Sequence, residues 1–207
     1  MLERVNIEYD FVEPSEAREL IDFFEKYPHR LYDGIYGKYA NGKDMPTFNT
    51  DENTESILWK YNHKQLEPRS EAVVWRENCD SKDFGNETMN RIIKKLVTHY
   101  KEMNPNYINE YVSMIRMNEK SHIVNHTDGI INEEVRPDYV MTSVTYLNEE
   151  FEGGELVLGD EHVYKPHLYS MIEFPGGIVE HAVKEITKGH RYALVAVFDY
   201  PDNYVAQ

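Results

Sequence analysis

The sequence predicts a single α+β domain that is mainly β: a sandwich or barrel of short strands, with helices packed on one sheet. Two helical patterns occur before Pro105, and short strand patterns separated by turn residues dominate after it. Short strands at fairly regular spacing are typical of sandwiches and barrels. The chain has 207 residues, which is enough for a substantial core, so we expect one domain over residues 1–207.

One strand and two helices are predicted in the N-terminal part of the chain. Residues 5–12 alternate apolar and polar side chains, as a strand with one buried face does. Ser15 is the expected N-cap of a helix that runs to about Tyr27, because apolar residues follow it at helical spacing. A second helix is predicted over residues 87–103 for the same reason, and Pro105 ends it.

Residues 30–83, which lie between the two helices, are rich in Tyr, Asn, Gly and Asp. Strands are predicted around residues 56–61 and 71–76, and residues 33–53 show weak periodicity. Long segments of this kind are usually functional or mobile. We therefore expect a lid or insert beside the core, with a surface excursion that has no functional role as the alternative.

Residues 107–200 are predicted to form the β core. Strand patterns occur at residues 110–117, 139–147, 155–158, 169–174 and 190–198. Gly, Asn and Pro lie between them at positions typical of turns. Because both helices precede this core, we expect them to pack against one of its sheets.

The charge and the apolar pattern exclude several functions. The chain has 22 Lys and Arg against 37 Asp and Glu, a net charge of −15. Nucleic acid is not an expected partner, because phosphate contacts need clustered basic residues. The longest apolar stretch near the C-terminus, residues 192–198, is far shorter than the roughly 20 residues of a membrane-spanning helix, so no membrane association is expected.

The cysteine content bears on the cellular compartment. Cys79 is the only cysteine, so the chain can form no internal disulfide. The N-terminus shows no apolar signal core. Disulfides are rare in reducing compartments, and we therefore expect a cytoplasmic, intracellular protein.

His126, Asp128 and His181 are the candidate metal ligands. A strand-like run at residues 121–125 precedes the first two, and in an extended chain residues i and i+2 point to the same side. Two histidines and one carboxylate on a six-coordinate metal leave three positions open, as in non-haem Fe(II) oxygenases. Zinc can bind the same three groups. The alternative for His181 is a strand-edge histidine with a structural role.

Arg191 follows His181 by ten residues and is the candidate partner of a bound carboxylate. If these two residues lie on neighbouring antiparallel strands that turn at Lys188 and Gly189, both can face the same interior. A buried arginine requires an anion, and a guanidinium group binds a carboxylate through two parallel hydrogen bonds. Lys188 is a weaker candidate because it lies in the expected turn. An exposed Arg191 on a hairpin is the alternative.

The linked motifs resemble those of the 2-oxoglutarate/Fe(II)-dependent dioxygenases, and are most similar to the prolyl 4-hydroxylase-like branch. They are, in order, His126-x-Asp128, Val144-Thr145-Tyr146-Leu147-Asn148, Gly153-Gly154-Glu155-Leu156, Phe174-Pro175, His181 and Thr187-Lys188-Gly189-His190-Arg191-Tyr192. Residues 9–17 also resemble the strand-then-helix opening of that branch. The resemblance implies a double-stranded β-helix, a jelly roll of two facing sheets with the N-terminal helices packed on the larger one.

The resemblance also implies the roles of individual residues. His126, Asp128 and His181 would bind Fe(II), and Arg191 would pair with the distal carboxylate of 2-oxoglutarate. Tyr146 occupies a position whose phenol hydrogen-bonds that carboxylate in some relatives, and packing in the core is its alternative role.

The sequence departs from the branch before the first metal ligand. The branch often has a Tyr nine residues before that histidine and a Gly three residues later. Met117 and Lys120 occupy these positions here, so one usual contact to 2-oxoglutarate is missing or comes from elsewhere. Tyr111 and Ser113, on the preceding strand, are the candidates to supply it.

The activity that the resemblance implies is hydroxylation of an unactivated C–H bond, with consumption of 2-oxoglutarate and O2 and release of succinate and CO2. Ascorbate is the expected reductant. Asp128 favours hydroxylation, because the relatives that halogenate lack this carboxylate.

We expect the substrate to be a prolyl residue in a peptide or protein. Tyr32, Tyr36 and Trp59 could stack on a proline-rich peptide, as aromatic grooves do, or could instead pack against the core. The branch also modifies free amino acids and other small molecules, which are the alternative substrates. A zinc hydrolase and a non-catalytic, metal-binding jelly-roll module are the alternative functions, and Arg191 argues against the hydrolase.

Overall fold

The computed structural model describes residues 4–26, 30–31, 54–60, 86–128, 140–159 and 162–199. Its helices are α1 (Pro14–Lys26) and α2 (Glu87–Met103). Its strands are β1 (Asn6–Glu8), β2 (Arg30–Leu31), β3 (Thr54–Lys60), β4 (Ile108–Met117), β5 (Ile123–His126), β6 (Met141–Tyr146), β7 (Phe151–Gly153), β8 (Leu156–Leu158), β9 (His162–Tyr164), β10 (Met171–Phe174), β11 (His181–Val183), β12 (Ile186–Gly189) and β13 (Arg191–Asp199).

The described strands form a major sheet, a minor sheet and a two-stranded ribbon. The major sheet has the order β1-β10-β6-β13-β4-β3-β2, the minor sheet the order β5-β11-β8-β9, and the ribbon pairs β12 with β7. All of these pairings are antiparallel. Most neighbouring strands, such as β6 and β13 or β5 and β11, are not consecutive in the chain, as the predicted double-stranded β-helix requires.

Side chains on the outer face of the major sheet pack against both helices. Leu20 and Phe24 of α1 and Leu96 of α2 are fully buried there, beside Leu194 of β13. Tyr100 of α2 stacks on the β13 residue Phe198 with ring centroids 4.0 Å apart. The helices therefore cover one face of the sheet, as predicted.

The opposite face of the major sheet packs against the minor sheet. Side chains alternate between the two faces of a strand, so Thr142, Val144 and Tyr146 of β6 point to this interior, whereas Thr145 points to the helices. Val144 and Tyr146 belong to one buried cluster with the minor-sheet residue Leu156. This interior, between the two sheets, contains the candidate site.

Helix α2 has the bounds that the sequence predicts because both of its ends carry strong signals. The Asn86 side chain caps its N-terminus by accepting a hydrogen bond from the Met89 backbone N–H (2.9 Å). Helix α1 begins at Pro14, so the prediction of Ser15 as its N-cap was wrong. Glu13 precedes the helix, and its backbone N–H donates to the Glu16 carboxylate (3.0 Å), as in a capping box.

Strand boundaries differ from the predictions mainly where strands are short. The predicted strand over residues 5–12 is observed only over Asn6–Glu8, because the chain turns at Asp10, which has φ +54°. Strands β7, β9, β11 and β12 have three or four residues each and were not predicted. Such lengths contain too few positions for a two-residue period to be recognised. The predicted strand over 71–76 lies outside the described residues.

Within the described ranges, no helix is long and apolar enough to cross a membrane. The division into a core over 107–200 and a lid over 30–83 stays a prediction, because most of residues 30–83 lie outside the described part of the chain.

Replacing Leu96 by Ala should lower the free energy of unfolding by about 2–5 kcal/mol, because the side chain is fully buried between α2 and the major sheet. Urea denaturation followed by circular dichroism measures this loss. Lys94→Ala is the control, since Lys94 is exposed on the same helix, and should change the value by less than about 0.5 kcal/mol. Similar losses for both variants would contradict this packing.

Candidate metal centre

His126 and His181 lie opposite each other on neighbouring strands of the minor sheet. Strands β5 and β11 are antiparallel, and the register places His126 directly beside His181. Residues opposite each other in an antiparallel pair point to the same face, so both imidazoles project into the interior. Their ring centroids are 4.1 Å apart. Phe174 of the major sheet packs edge-on against His181, with ring centroids 4.8 Å apart.

Asp128 completes the group two residues after β5 ends. Its carboxylate Oδ1 lies 3.6 Å from His126 Nε2, and its Oδ2 lies 3.3 Å from His181 Nε2. One potential ligand atom from each of the three residues lies within 4.8 Å of the other two. The structure therefore brings together all three residues that the sequence predicts as metal ligands.

Hydrogen bonds to the backbone fix which nitrogen of each histidine is available to a metal. His126 Nδ1 lies 2.8 Å from the Val124 carbonyl oxygen, and His181 Nδ1 lies 2.9 Å from that of Val179. A carbonyl oxygen only accepts, so each Nδ1 carries the proton and donates it. In the neutral imidazoles, both Nε2 atoms then present lone pairs toward Asp128.

The charges of the three groups are coupled. Burial disfavours the charged form of Asp128, but His181 and His126 outweigh it and hold the pKa of the Asp128 carboxyl well below its ordinary value. Burial acts to lower the pKa of His181, and the Asp128 carboxylate overcomes it, so the pKa of His181 is raised. The interior thus stabilises one ionised carboxylate beside two imidazoles. Two imidazoles and one carboxylate are a donor set that fits a divalent transition metal.

Arg191 lies at the start of β13 in the major sheet, and its placement corrects the predicted hairpin. His181 belongs to the minor sheet, and Lys188 and Gly189 belong to β12 instead of forming a turn. From the sequence, the two residues could lie on neighbouring antiparallel strands, as one arrangement in which both face the same interior. Instead they belong to opposite sheets and face the same interior.

The guanidinium group of Arg191 is buried, and its described surroundings hold no counterion. Arg191 is 1% exposed, and no carboxylate of the described residues pairs with it. Its Nη1 donates to Met117 Sδ (3.3 Å), its Cζ lies 5.1 Å from the Tyr146 ring centroid, and its Nε has no hydrogen-bond partner within the described part of the chain. A thioether is a weak acceptor, so the interior leaves this cation available to an anion.

Tyr146 adds a second unsatisfied polar atom beside Arg191. Its hydroxyl is buried and, among the residues described, has no hydrogen-bond partner. Burial raises the pKa of Tyr146 despite the opposing charge of Arg191, so the hydroxyl remains protonated and can donate. A carboxylate in this position would satisfy both Arg191 and Tyr146. The prediction that these two residues share a site is therefore supported by the geometry.

Strand β6 connects the arginine to the metal ligands. Thr142, near the start of the strand, donates a hydrogen bond from Oγ1 to Asp128 Oδ2 (2.5 Å). Tyr146, four residues later on the same face, contacts Arg191. The three metal ligands and the cation thus line one interior. Sequence reasoning did not single out Thr142, because its contact with Asp128 is formed only in the tertiary structure.

Gly154 provides the space that Arg191 occupies. A Cβ added at this position would lie 2.5 Å from Ile186 Cδ1 and 3.1 Å from Arg191 Cδ. Its φ of +69° also favours glycine. Gly154 of the linked motifs therefore has a steric role beside the arginine.

The other predicted site residues have different outcomes. Lys188 is exposed and bonded to Glu152 (2.9 Å), so it does not take the place of Arg191 in the interior. Lys120 adopts φ +73°, a conformation that suits the glycine found there in the resembling branch. Tyr32 and Tyr36 lie outside the described residues, as do the side chains of Trp59, Tyr111 and Ser113.

Comparisons with known proteins are consistent with this geometry. Residues 112–199 match the family model described as the 2OG-Fe(II) oxygenase superfamily, and this segment contains the three candidate ligands and Arg191. No curated protein matches the sequence. The resemblance seen in the motifs is thus confirmed for this part of the chain.

Solved structures of similar fold include three prolyl hydroxylases. A Pseudomonas putida prolyl-4-hydroxylase has 14% identity and a TM-score of 0.63, covering 95% of this chain and 92% of that one. The viral collagen prolyl hydroxylase of Paramecium bursaria Chlorella virus-1, in its 2OG complex, has 16% identity and a TM-score of 0.62, covering 96% of each chain. A Trichoplax adhaerens prolyl hydroxylase, in complex with a hypoxia inducible factor peptide, has 14% identity and a TM-score of 0.62. The match covers 100% of this chain and 90% of that one. The predicted double-stranded β-helix fold is confirmed.

Replacing His181 by Ala should abolish stoichiometric binding of Fe²⁺, because the variant removes one of two imidazole ligands. Anaerobic equilibrium dialysis followed by metal analysis measures the bound metal per chain. His190→Ala is the control, since His190 is exposed and its Nδ1 lies 2.8 Å from Asn118 Oδ1, outside the candidate centre. Fe²⁺ binding by His181→Ala at the wild-type ratio would refute the assignment.

Proposed function

We propose that this chain, whose residues 112–199 match the 2OG-Fe(II) oxygenase superfamily, is a 2-oxoglutarate-dependent Fe(II) dioxygenase that hydroxylates a prolyl residue in a peptide or protein. The observation that carries the proposal is the buried Arg191, which no carboxylate of the described residues pairs with, in the interior that also contains His126, Asp128 and His181.

The proposed reaction class rests on two features of this interior, the three candidate metal ligands and the buried arginine. Fe(II), 2-oxoglutarate and O2 bound together supply an oxidant that hydroxylates a C–H bond with release of succinate and CO2. His126 and His181 would hold the metal through Nε2. Each ring is oriented by the hydrogen bond that its Nδ1–H group donates to a backbone carbonyl. Asp128 contributes the one anionic ligand, and three protein ligands leave positions for the cosubstrate and O2.

Arg191 and Tyr146 bind the distal carboxylate of the cosubstrate in this proposal. The guanidinium group compensates the negative charge, and the protonated phenol donates a further hydrogen bond. Both groups are buried, so water is excluded and the charge-assisted contact is strong. A zinc hydrolase would use the same three metal ligands but has no need for a buried arginine opposite them. The interior therefore favours the dioxygenase.

Met117 distinguishes this cosubstrate pocket from that of the resembling branch. The residue is fully buried and accepts from Arg191 Nη1 (3.3 Å), in the position where the branch often has a tyrosine. Tyr111 and Ser113, on the same strand, remain the proposed source of any replacement contact.

The prolyl substrate is proposed from the fold neighbours and from the aromatic content of residues 30–83. Three of the similar structures are prolyl hydroxylases, and one holds a hypoxia inducible factor peptide. Tyr32, Tyr36 and Trp59 are the proposed aromatic contacts to a peptide, with residues 30–83 as the lid. A free amino acid or another small molecule is the alternative substrate.

Succinate formation from 2-oxoglutarate tests the reaction class. The purified chain, supplied with Fe(II), ascorbate and air, should form succinate slowly even without substrate, because such enzymes commonly turn over uncoupled. Asp128→Ala should abolish this activity, whereas Glu152→Ala, which removes an exposed carboxylate, should leave it unchanged. If no succinate forms and zinc remains tightly bound, the hydrolase or a non-catalytic module becomes the better explanation.

The same assay identifies the substrate class. Proline-containing peptides should accelerate succinate release and gain 16 Da, as measured by mass spectrometry. Acceleration by a free amino acid but by no peptide would contradict the prolyl assignment and leave the dioxygenase intact.

Arg191→Ala should raise the apparent KM for 2-oxoglutarate by about 10- to 150-fold, because a hydrogen bond to a charged group contributes about 1.5–3 kcal/mol. Steady-state succinate assays at varied 2-oxoglutarate concentration measure this change. Lys188→Ala is the matched control, since Lys188 is the nearby exposed cation, and its KM should equal that of the wild type. An unchanged KM in Arg191→Ala would show that another group binds the cosubstrate.

A further inference from the structure

Thr142 connects the major sheet to the candidate metal ligands. The residue is 1% exposed on β6, and its hydroxyl donates to Asp128 Oδ2 at 2.5 Å. Oδ1 of the same carboxylate lies 3.6 Å from His126 Nε2 and accepts no hydroxyl or amide hydrogen bond from the described residues. The two carboxylate oxygens are therefore in different environments before any metal binds.

Gly176 leaves room for this hydrogen bond and fixes the backbone of Asp128. Its carbonyl accepts from the Asp128 backbone N–H (2.8 Å). A Cβ added at Gly176 would overlap Thr142 Oγ1 and lie 2.8 Å from Asp128 Oδ2. The pairing of Phe174 with Thr142 in the major sheet brings the Gly176 loop to this position. Thr142 and Gly176 thus constrain the side chain and the main chain of Asp128.

We propose that Thr142 is a positioning residue for the metal centre. Its hydrogen bond holds Oδ2 and fixes the rotation of the Asp128 carboxylate, so that the group binds metal through Oδ1 alone. Single-oxygen binding leaves the remaining coordination positions open to a cosubstrate. The inference rests on the proposed function, because it requires that His126, Asp128 and His181 hold a metal ion.

A carboxylate released from this hydrogen bond would lose its fixed orientation. Ordering it again on metal binding costs conformational entropy, and a freed Oδ2 could bind the metal together with Oδ1. Partners that orient a metal ligand typically change metal affinity by about 10- to 100-fold when they are removed. The expected effect is therefore on metal affinity and on coordination geometry, before any turnover.

Strand β6 offers a matched control for Thr142. Thr145 lies three residues later, is equally buried, and points to the opposite face of the major sheet. Its hydroxyl has no hydrogen-bond partner within the described ranges. Thr145→Val therefore makes the same chemical change on the same strand without touching Asp128.

Titration of the metal-free full-length chain with CoCl2 tests the proposal. Calorimetry measures the dissociation constant, and the visible absorption bands of bound Co²⁺ report its coordination geometry. Thr142→Val should bind Co²⁺ about 10- to 100-fold more weakly than the wild type and with an altered spectrum. Thr142→Ser keeps the hydroxyl and should restore both properties, and Thr145→Val should match the wild type. If Thr142→Val does not fold, Thr142→Ala and Thr142→Ser provide the same comparison.

Three results would overturn the inference. Wild-type affinity and spectrum in Thr142→Val would show that the hydrogen bond does not position Asp128. Equal weakening in Thr142→Val and Thr145→Val would assign the effect to packing of β6. Absence of Co²⁺ binding by the wild-type chain would refute the metal centre itself, and with it the proposed function; the first two results leave that function standing.

Discussion

A buried positive charge that has no counterion among the described residues is the constraint on which the interior depends. Arg191 lies at the start of a central strand, with a thioether and an aromatic ring as its neighbours. Removing an ion from water costs several kcal/mol, and the described residues return little of it. The rest of the fold must hold this cation in place, and Gly154 and Met117 shape the space around it. An anionic ligand would restore the balance, which is why a carboxylate is the proposed partner of Arg191.

His126 and Asp128 could be singled out from the sequence as candidate metal ligands because their signal is local and chemical. The i, i+2 spacing of His126 and Asp128 placed both on one side of an extended chain, and residue type restricted the chemistry to metal binding. Helix α2 was predicted with its observed bounds for a similar reason, since its apolar face is strongly periodic. For this pair and for α2 a few neighbouring residues contain the information, whereas His181 was singled out only together with the linked motifs.

The relation between the two sheets could not be predicted in this way. His181 and Arg191 are close in sequence, yet they lie on opposite sheets, because the short strand β12 of the separate ribbon lies between their strands β11 and β13. A two-residue period tells which side of a strand a residue faces, but not which sheet the strand joins. Thr142 was missed for the same reason. Its importance comes from a contact with Asp128 that only the tertiary structure creates.

The separation of the metal ligands from Arg191 has a mechanical consequence. His126 and His181 belong to the minor sheet and Arg191 to the major sheet. A metal and a carboxylate cosubstrate bound between them would therefore connect the two sheets. A ligand bound only by the folded chain stabilises it in proportion to the logarithm of its concentration. The short strands of the minor sheet have few hydrogen bonds of their own. If the proposed metal and cosubstrate bind, occupancy of the site and stability of the jelly roll would be coupled.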